Sequence, residues 1–451
     1  MNTLLIDLST IIFIAFIFAS IISLKENELF AFKRFLILSF ITPLPFLIIA
    51  AINFTYKSEV EILLAVTLLT FIISILIPSG KKKNYKQTIP IKKIDERDTM
   101  FSRNEIKPGS DFFEDYYARN PQNKTLDDKF RELPGLLNSE ATQYNPFHFS
   151  SSDASFETIK ALRQEVDGLV SEKKVNVIPN DISSYIKSWS KKLGALDCGI
   201  TELKNYHLYS VGGRAERYGK EVVNNHKFAI AFTVEMDRSM LSSAPSGSIV
   251  MESGQQYLES GKVAIQVARF IRNLGYEARA HIDGNYQVVC PLVARDAGLG
   301  EIGRMGLLMT PKYGPRVRIA VVTTNLPLLT DEPLNEYSTI DFCIKCKKCA
   351  DSCPSQAISF NDMEEIDGVK RWQINQEKCF TLWCSLGTDC GRCVSVCPYS
   401  HPDNLLHNTV RFGIKNSALF RILAVKLDDF FYGRKPHPLK LPKWLQIKAD
   451  E

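Results

Sequence analysis

The sequence predicts a mixed α/β (α+β) fold, preceded by N-terminal transmembrane helices and followed by a small cysteine-rich module. Three observations carry this expectation. The N-terminal region holds three long apolar runs. Candidate strands and helices alternate through the middle of the chain, which suggests a sheet covered by helices. Nine of the eleven cysteines fall between Cys343 and Cys397.

At 451 residues the chain is long enough for two or three structural units. Its formal charge of +5 is modest for that length and gives no case for nucleic acid or for acidic substrates. Disulfide scaffolds are usually short secreted chains, so a tight cysteine group late in a long chain reads as metal ligation.

The apolar runs are Leu8–Leu24, Phe35–Phe54 and Val60–Ile77. Each is close to the ~20 residues a helix needs to cross the hydrocarbon layer. Pro43 and Pro45 should kink the second run. Lys25, Lys33 and Arg34 mark the first link as basic, as do Lys81, Lys82, Lys83 and Lys86 after the third run. The second link carries Lys57 beside Glu59 and Glu61. By the bias of lysine and arginine towards the inner face, the large domain is expected in the cytoplasm, below a multi-pass anchor in the cell membrane. The absence of a twin-arginine pair near the N-terminus agrees with that side.

Residues 81–150 read as a polar linker and an extended arm, punctuated by Pro90, Pro108, Pro121, Pro134 and Pro146. Beyond them, Ile182–Leu193 has the period of an amphipathic helix, and Gly254–Leu274 is helix-like. Lys227–Val234 (KFAIAFTV) and Arg318–Thr323 (RIAVVT) are strand candidates. The expected domains are an anchor over 1–80, the arm over 81–150, a catalytic core over 151–332, a cysteine module over 333–410 and a tail over 411–451. The basic end of that tail, Arg434 to Lys448, reads as solvated or interfacial.

The first cysteine motif is Cys343-x2-Cys346-x2-Cys349-x3-Cys353-Pro354, and the second ends Cys390-x2-Cys393-x3-Cys397-Pro398. This is the bacterial ferredoxin spacing, in which the fourth cysteine of each run serves the other cluster. It predicts a ferredoxin-like module with two [4Fe-4S] clusters. Cys343, Cys346, Cys349 and Cys397 would hold one. Cys390, Cys393, Cys353 and one upstream cysteine would hold the other, with Cys379 preferred and Cys384 the alternative. Zinc also binds CxxC pairs, but the crossed spacing with proline favours iron–sulfur. Two such clusters form a path for electron transfer, with a reaction centre expected at its far end.

Gly298, Gly300 and Gly303 form a GxGxxG pattern followed by Arg304. No clear strand precedes it and no acidic residue stands about twenty positions on, so a nicotinamide site is disfavoured. A loop of this kind also admits close backbone approach to another large cofactor. His281 lies in an HxDG context, but Arg279 stands where a DxHxxG cobalt-ligand motif needs aspartate.

With these motifs in view, the chain resembles the corrinoid-dependent reductive dehalogenases, relatives of the epoxyqueuosine reductases. The resemblance runs from Glu96–Arg103 (ERDTMFSR) to about residue 410. Its most specific stretches are Ala297–Arg304, Thr310–Arg318, Thr324–Leu328 and Phe342–Ala350, with Asn375, Cys379 and Trp383 leading into the second cysteine motif. That last match supports Cys379 as the ligand. The resemblance implies a nitroreductase-like core holding cobalamin, a cobalt corrinoid, in its base-off form. It implies reductive dehalogenation of an organohalide substrate, with Tyr257 as proton donor, Arg318 as pocket arginine and Asp283 at a third pocket position. It places Gly298, Gly300, Gly303 and Arg304 at the cofactor.

Two departures stand out. Three apolar spans are fused to the catalytic chain, where typical respiratory members have a twin-arginine leader and a separate anchor protein. Val288–Pro291 (VVCP) lacks the carboxylate that epoxyqueuosine reductases carry before proline, which argues against a tRNA-modifying enzyme. A membrane-bound ferredoxin-type electron carrier is the other alternative, but it leaves the core of about 180 residues without a purpose. The electron donor is expected to be a quinol or a reduced ferredoxin or flavodoxin.

Overall fold

The computed structural model describes residues 2–76 and 90–447. Ile77, the lysines at 81, 82, 83 and 86, and Lys448 lie outside the described residues. The chain divides into two units. One combines Met1–Asn84 with Tyr337–Cys346 and Pro402–His437; the other holds Tyr85–Glu336, Lys347–His401 and Pro438–Glu451. These divisions differ from the sequence-based domains, because the helix carrying Cys343 and Cys346 groups with the N-terminal helices.

In the first unit the apolar runs are helical over Asn2–Lys25, Leu29–Ile41, Leu44–Ala51 and Lys57–Leu76. The second run breaks at Thr42–Pro43, as its prolines require. Among the described residues, Leu4–Lys25 and Leu29–Ala51 are long and apolar enough to cross a membrane. Ala19, Ala31, Phe35 and Phe431 share a buried cluster, and the Phe35 and Phe431 rings stack 3.8 Å apart. Part of the expected tail is therefore two helices, Leu405–Asn416 and Ala418–Tyr432, that fold against the N-terminal ones. Arg421 Nε donates to Asp341 at 2.6 Å and ties the second of them to Tyr337–Cys346.

The second unit is built on an antiparallel sheet. Its strands are β1 (Asp197–Glu202), β2 (Phe228–Glu235), β3 (Ala278–His281) and β6 (Val317–Thr324), in the order β1-β2-β6-β3. A small hairpin of β4 (Glu301–Ile302) and β5 (Leu308–Met309) lies outside that sheet. Alternation along β6 decides what each face buries. Ala320 and Val322 pack with Ile230 and Phe232 beneath the long helix Ser248–Asn273, hereafter the central helix. Val321 packs on the other face, with Ala229, Ala231 and the helix Cys290–Asp296.

The arm contains more helix than its prolines suggest, with helices at Met100–Glu105, Asp111–Arg119, Pro121–Arg131 and Pro146–Ala161. Pro121 and Pro146 sit in the first turn, where a missing N–H costs nothing. The arm is fastened by a buried ion pair. Arg103 Nε donates to Asp127 at 2.9 Å, Tyr117 Oη donates to the same carboxylate at 2.6 Å, and Arg103 Nη1 donates to Glu377 at 2.5 Å. The end of the chain also returns to this unit: the Leu439 N–H donates to the Ser242 carbonyl, and Leu445 is buried beside His148.

Removing one member of a buried ion pair strands its partner. Asp127→Ala should therefore lower stability by about 3–5 kcal/mol, read as a drop in the urea midpoint. A change below about 1 kcal/mol would show that the arm is not held this way.

Candidate functional site

Arg318 is the second residue of β6 and shares a face with Ala320 and Val322, so its side chain is delivered under the central helix. Ser253 and Tyr257 lie one turn apart on that helix and meet it there. The Arg318 guanidinium carbon lies 4.7 Å from the centre of the Tyr257 ring. Arg318 Nη2 donates to Ser253 Oγ and, at 3.3 Å, to Asp389 Oδ2. Ser253 Oγ donates in turn to Asp389. Asp389 immediately precedes Cys390, so this contact ties the sheet and the central helix to the cysteine module. The tie is reinforced by the Val250 N–H, which donates to Thr388 Oγ1 at 3.1 Å.

Two cavities meet at these residues; Tyr257, Arg318, Trp383 and Asp389 line both. The first has a volume of about 380 Å³ and is walled by Phe101, Leu136, Phe156 and Val250. Asp283 lies on its wall, paired with Arg163 at 3.4 Å. The second cavity is bounded by Met236, Leu241, Ile249, Tyr286 and Leu307, and Cys393 lies in its wall. Arg318 Nε and Asp389 Oδ1 are buried without a hydrogen-bond partner among the described residues. Orphaned polar atoms beside an apolar cavity are what a bound polar-edged group would satisfy. Neither lining includes a histidine. His281 has both ring nitrogens occupied, by Thr323 Oγ1 at 2.9 Å and the Gln287 N–H at 3.1 Å.

The largest single influence on the Tyr257 phenol is Arg318, which favours the phenolate. Burial, Asp283 and Asp389 together outweigh it and hold the phenol above its usual range. The net direction is thus opposite to the one Arg318 alone would impose. Arg318 itself is pushed down by burial, but Tyr257 and Asp389 more than restore it, and it stays charged.

The glycine loop has local reasons for its composition. A side chain at Gly298, which has φ +77°, would meet the Glu332 carbonyl, and one at Gly300 would meet the Met309 carbonyl at 2.4 Å. The Gly303 N–H donates to the Leu307 carbonyl across the turn. Arg304 is buried, donates to the Ser359 and Asn361 carbonyls at 2.8 and 2.6 Å, and stacks on Trp372. None of the four lines either cavity.

Among the cysteines of the second unit, Cys379, Cys390 and Cys393 have thiols raised above their ordinary range, with Cys353 among the neighbours that contribute. Burial pushes Cys379 up to about 12 and Cys390 to about 11, with neighbouring thiolates adding to both. Cys393 is raised further, by burial and then by Cys390, Cys379, Cys349 and Cys353. Crowded, buried thiolates need a cation, and an iron–sulfur core supplies one. For Cys384 burial is the one cause of its shift, and its side chain packs with Met100, Phe130 and Phe380. The Ala357 N–H donates to Cys353 Sγ at 3.2 Å. Cys343 and Cys346 lie in the other unit, on Tyr337–Cys346, and are buried there.

Sequence reasoning missed Ser253, Asp389 and Glu252. Glu252 is buried on the central helix and accepts the Asp237 N–H at 2.6 Å. Burial raises its carboxyl to about 7. A carboxyl whose folded pKa is raised contributes stability that is present below its unfolded pKa and lost as pH rises through the folded value. Stability should therefore fall by a few kcal/mol, in order of magnitude, between about pH 4.5 and about pH 7. Glu252→Gln should flatten that segment of the urea-midpoint profile; an unchanged slope would assign it elsewhere.

Residues 342–401 match the 4Fe-4S dicluster domain family. Over 347 residues the chain is 30% identical to a tetrachloroethene reductive dehalogenase of Desulfitobacterium hafniense, a match covering 70% of this chain and 62% of that one. A tetrachloroethene reductive dehalogenase of Sulfurospirillum multivorans is 33% identical over 222 residues, 48% of this chain and 44% of the other. A solved reductive dehalogenase structure, described for B12-dependent dehalogenation, aligns with a TM-score of 0.63 at 24% identity, over 78% of this chain and 48% of that chain. The chain thus spans about three-fifths of the length of the Desulfitobacterium relative. In sequence the chain is similar to the tetrachloroethene reductive dehalogenases, and in fold to a solved reductive dehalogenase.

Proposed function

We propose that this chain is a membrane-anchored, corrinoid-dependent oxidoreductase that reductively dehalogenates an organohalide, with electrons delivered through two [4Fe-4S] clusters. The observation that carries this reading is the Tyr257–Arg318 pair at the junction of two cavities, one of them with Cys393 of the dicluster region in its wall. The first cavity takes the substrate. The second would take the corrinoid, with its apolar walls and the unsatisfied Arg318 Nε and Asp389 Oδ1 available to hold it. Neither lining offers a histidine that could serve as a cobalt ligand, which would suit a corrinoid bound in its base-off form. When bound, the corrinoid supplies a strongly reducing cobalt centre. Replacing halogen by hydrogen takes two electrons and one proton and releases halide.

The chain's own residues manage the proton. Tyr257 stays protonated because burial and the two nearby aspartates disfavour its anion. Once the proton has left, the Arg318 guanidinium, which lies over the ring, stabilises the phenolate. Asp283 is engaged with Arg163, which fits an electrostatic role better than proton donation.

One cluster is assigned to Cys353, Cys379, Cys390 and Cys393, and the other to Cys343, Cys346, Cys349 and Cys397. Leu4–Lys25 and Leu29–Ala51 are assigned to the membrane, with Lys57–Leu76 as a third span. The basic first link, Lys25, Lys33 and Arg34, favours a cytoplasmic catalytic domain. A quinol or a reduced ferredoxin or flavodoxin would then be the donor.

In protein reconstituted anaerobically with cobalamin, Tyr257→Phe should lower halide release by about 100-fold or more while iron, sulfide and cobalt contents are kept. Undiminished turnover would remove Tyr257 from the mechanism, and retention of no cobalt by the wild type would remove the corrinoid. Cys379→Ala should lose about half of the iron and sulfide, whereas Cys384→Ala should keep all of it. The reverse pattern would exchange the two assignments.

A further inference from the structure

If the first cavity takes the organohalide, as proposed for this site, the charges on its wall decide which organohalides it admits. Its polar lining carries the carboxylates Glu105, Asp153, Glu157, Asp283 and Asp389 against the cations Lys160, Arg163, Arg214 and Arg318, so negative charge is in excess. Each cation also has a carboxylate partner inside the cavity. Arg318 pairs with Asp389 at 3.3 Å, and Arg163 with Asp283 at 3.4 Å. Arg214 Nε donates to Glu105 at 2.6 Å, and Lys160 Nζ to Glu157 at 3.0 Å. The Arg163–Asp283 pair is built into the backbone. Gly284 has φ +69°, and a side chain there would collide with the Arg163 guanidinium. Arg163 Nε meanwhile holds the Asp283 carbonyl at 2.8 Å.

A carboxylate entering this space would meet cations already paired with carboxylates, and the one open donor among the described residues of the lining, Arg318 Nε, lies beside the like-charged Asp389; separating the less exposed pairs is costly away from water. It would also pass the mouth, where Asp153 and Glu157 lie exposed one turn apart on Pro146–Ala161. An uncharged molecule meets neither barrier and gains the apolar walls of Phe101, Leu136, Phe156 and Trp383. An apolar cavity of about 150 Å³ is enough for benzene. At about 380 Å³, this one has room for a halogenated ring or a haloalkene.

We propose that the cavity selects uncharged organohalides and rejects those bearing a carboxylate, with the Asp283–Arg163 pair as the principal filter. The test compares 2-bromophenol with 3-bromo-4-hydroxybenzoate, the same ring with a carboxylate added. Binding to the cobalamin-loaded protein is followed by quenching of tryptophan fluorescence, since Trp383 lines the cavity, and halide release is measured in parallel. The neutral ring should bind about tenfold tighter or more at neutral pH. Asp283→Asn, which loosens the hold on Arg163, should narrow that ratio by about fivefold. Should this variant fold poorly, Asp153→Asn at the exposed mouth should narrow the ratio by about twofold. Equal or tighter binding of the carboxylate, an unmoved ratio in the variants, or binding of neither compound would overturn the proposal. Tight binding of the neutral ring without halide release would support the filter while removing the dehalogenation reading on which its biological meaning rests.

Discussion

A guanidinium taken out of water must be surrounded by groups that accept its charge, and Arg318 gathers them from three parts of the second unit. β6 fixes its backbone by pairing with β2 on one side and β3 on the other. The pleat points it at the central helix, which offers Ser253 and the face of Tyr257. The segment before Cys390 offers Asp389. Sheet, helix and cysteine module therefore converge on one cation. Displacing any of the three would leave a buried charge short of a partner, which is why this junction can be held rigidly with few contacts.

The cysteine module adds a second electrostatic demand of opposite sign. Four thiols of the second unit lie near one another in a poorly solvated place, and their anions repel. A cationic iron core relieves that repulsion, and backbone N–H groups such as that of Ala357 supply further positive potential at sulfur. Between these two centres of charge lies the second cavity, with Arg318 and Asp389 on one side and Cys393 on another. Whatever occupies it is bounded by the Tyr257–Arg318 pair and by Cys393 together.

Much of this was legible in the chain. KFAIAFTV and RIAVVT were readable as strands because both faces of the sheet are covered, so the runs are nearly continuous in apolar residues. The central helix begins earlier than its apolar pattern, at Ser248, because its first turns pack against the cysteine module. Pro121 and Pro146 were misleading in the other direction, since a proline that opens a helix looks like one that ends it. In the glycine pattern at 298–303, Gly298 and Gly300 are also required locally, by the closeness of Glu332 and Met309. Ser253 and Asp389 left no signal, because they act on Arg318 from 65 and 71 positions away and neither sits in a recognisable motif. The choice between Cys379 and Cys384 was open from spacing alone; in three dimensions one faces other thiols and the other faces hydrocarbon.

The way Pro146–Ala161 lies on the central helix has an evolutionary corollary. The two helices approach closely at Gly254, where a side chain would meet the Ser152 carbonyl at 3.2 Å, and at Gly261, where it would meet Ile159 at 2.5 Å. That seam is intolerant of change. The opposite side of Pro146–Ala161 is different: Asp153, Glu157 and Lys160 stand in solvent at the cavity mouth. Substitutions among those three residues can therefore change what the cavity mouth presents, while the helix seam and the tyrosine beside it keep their place.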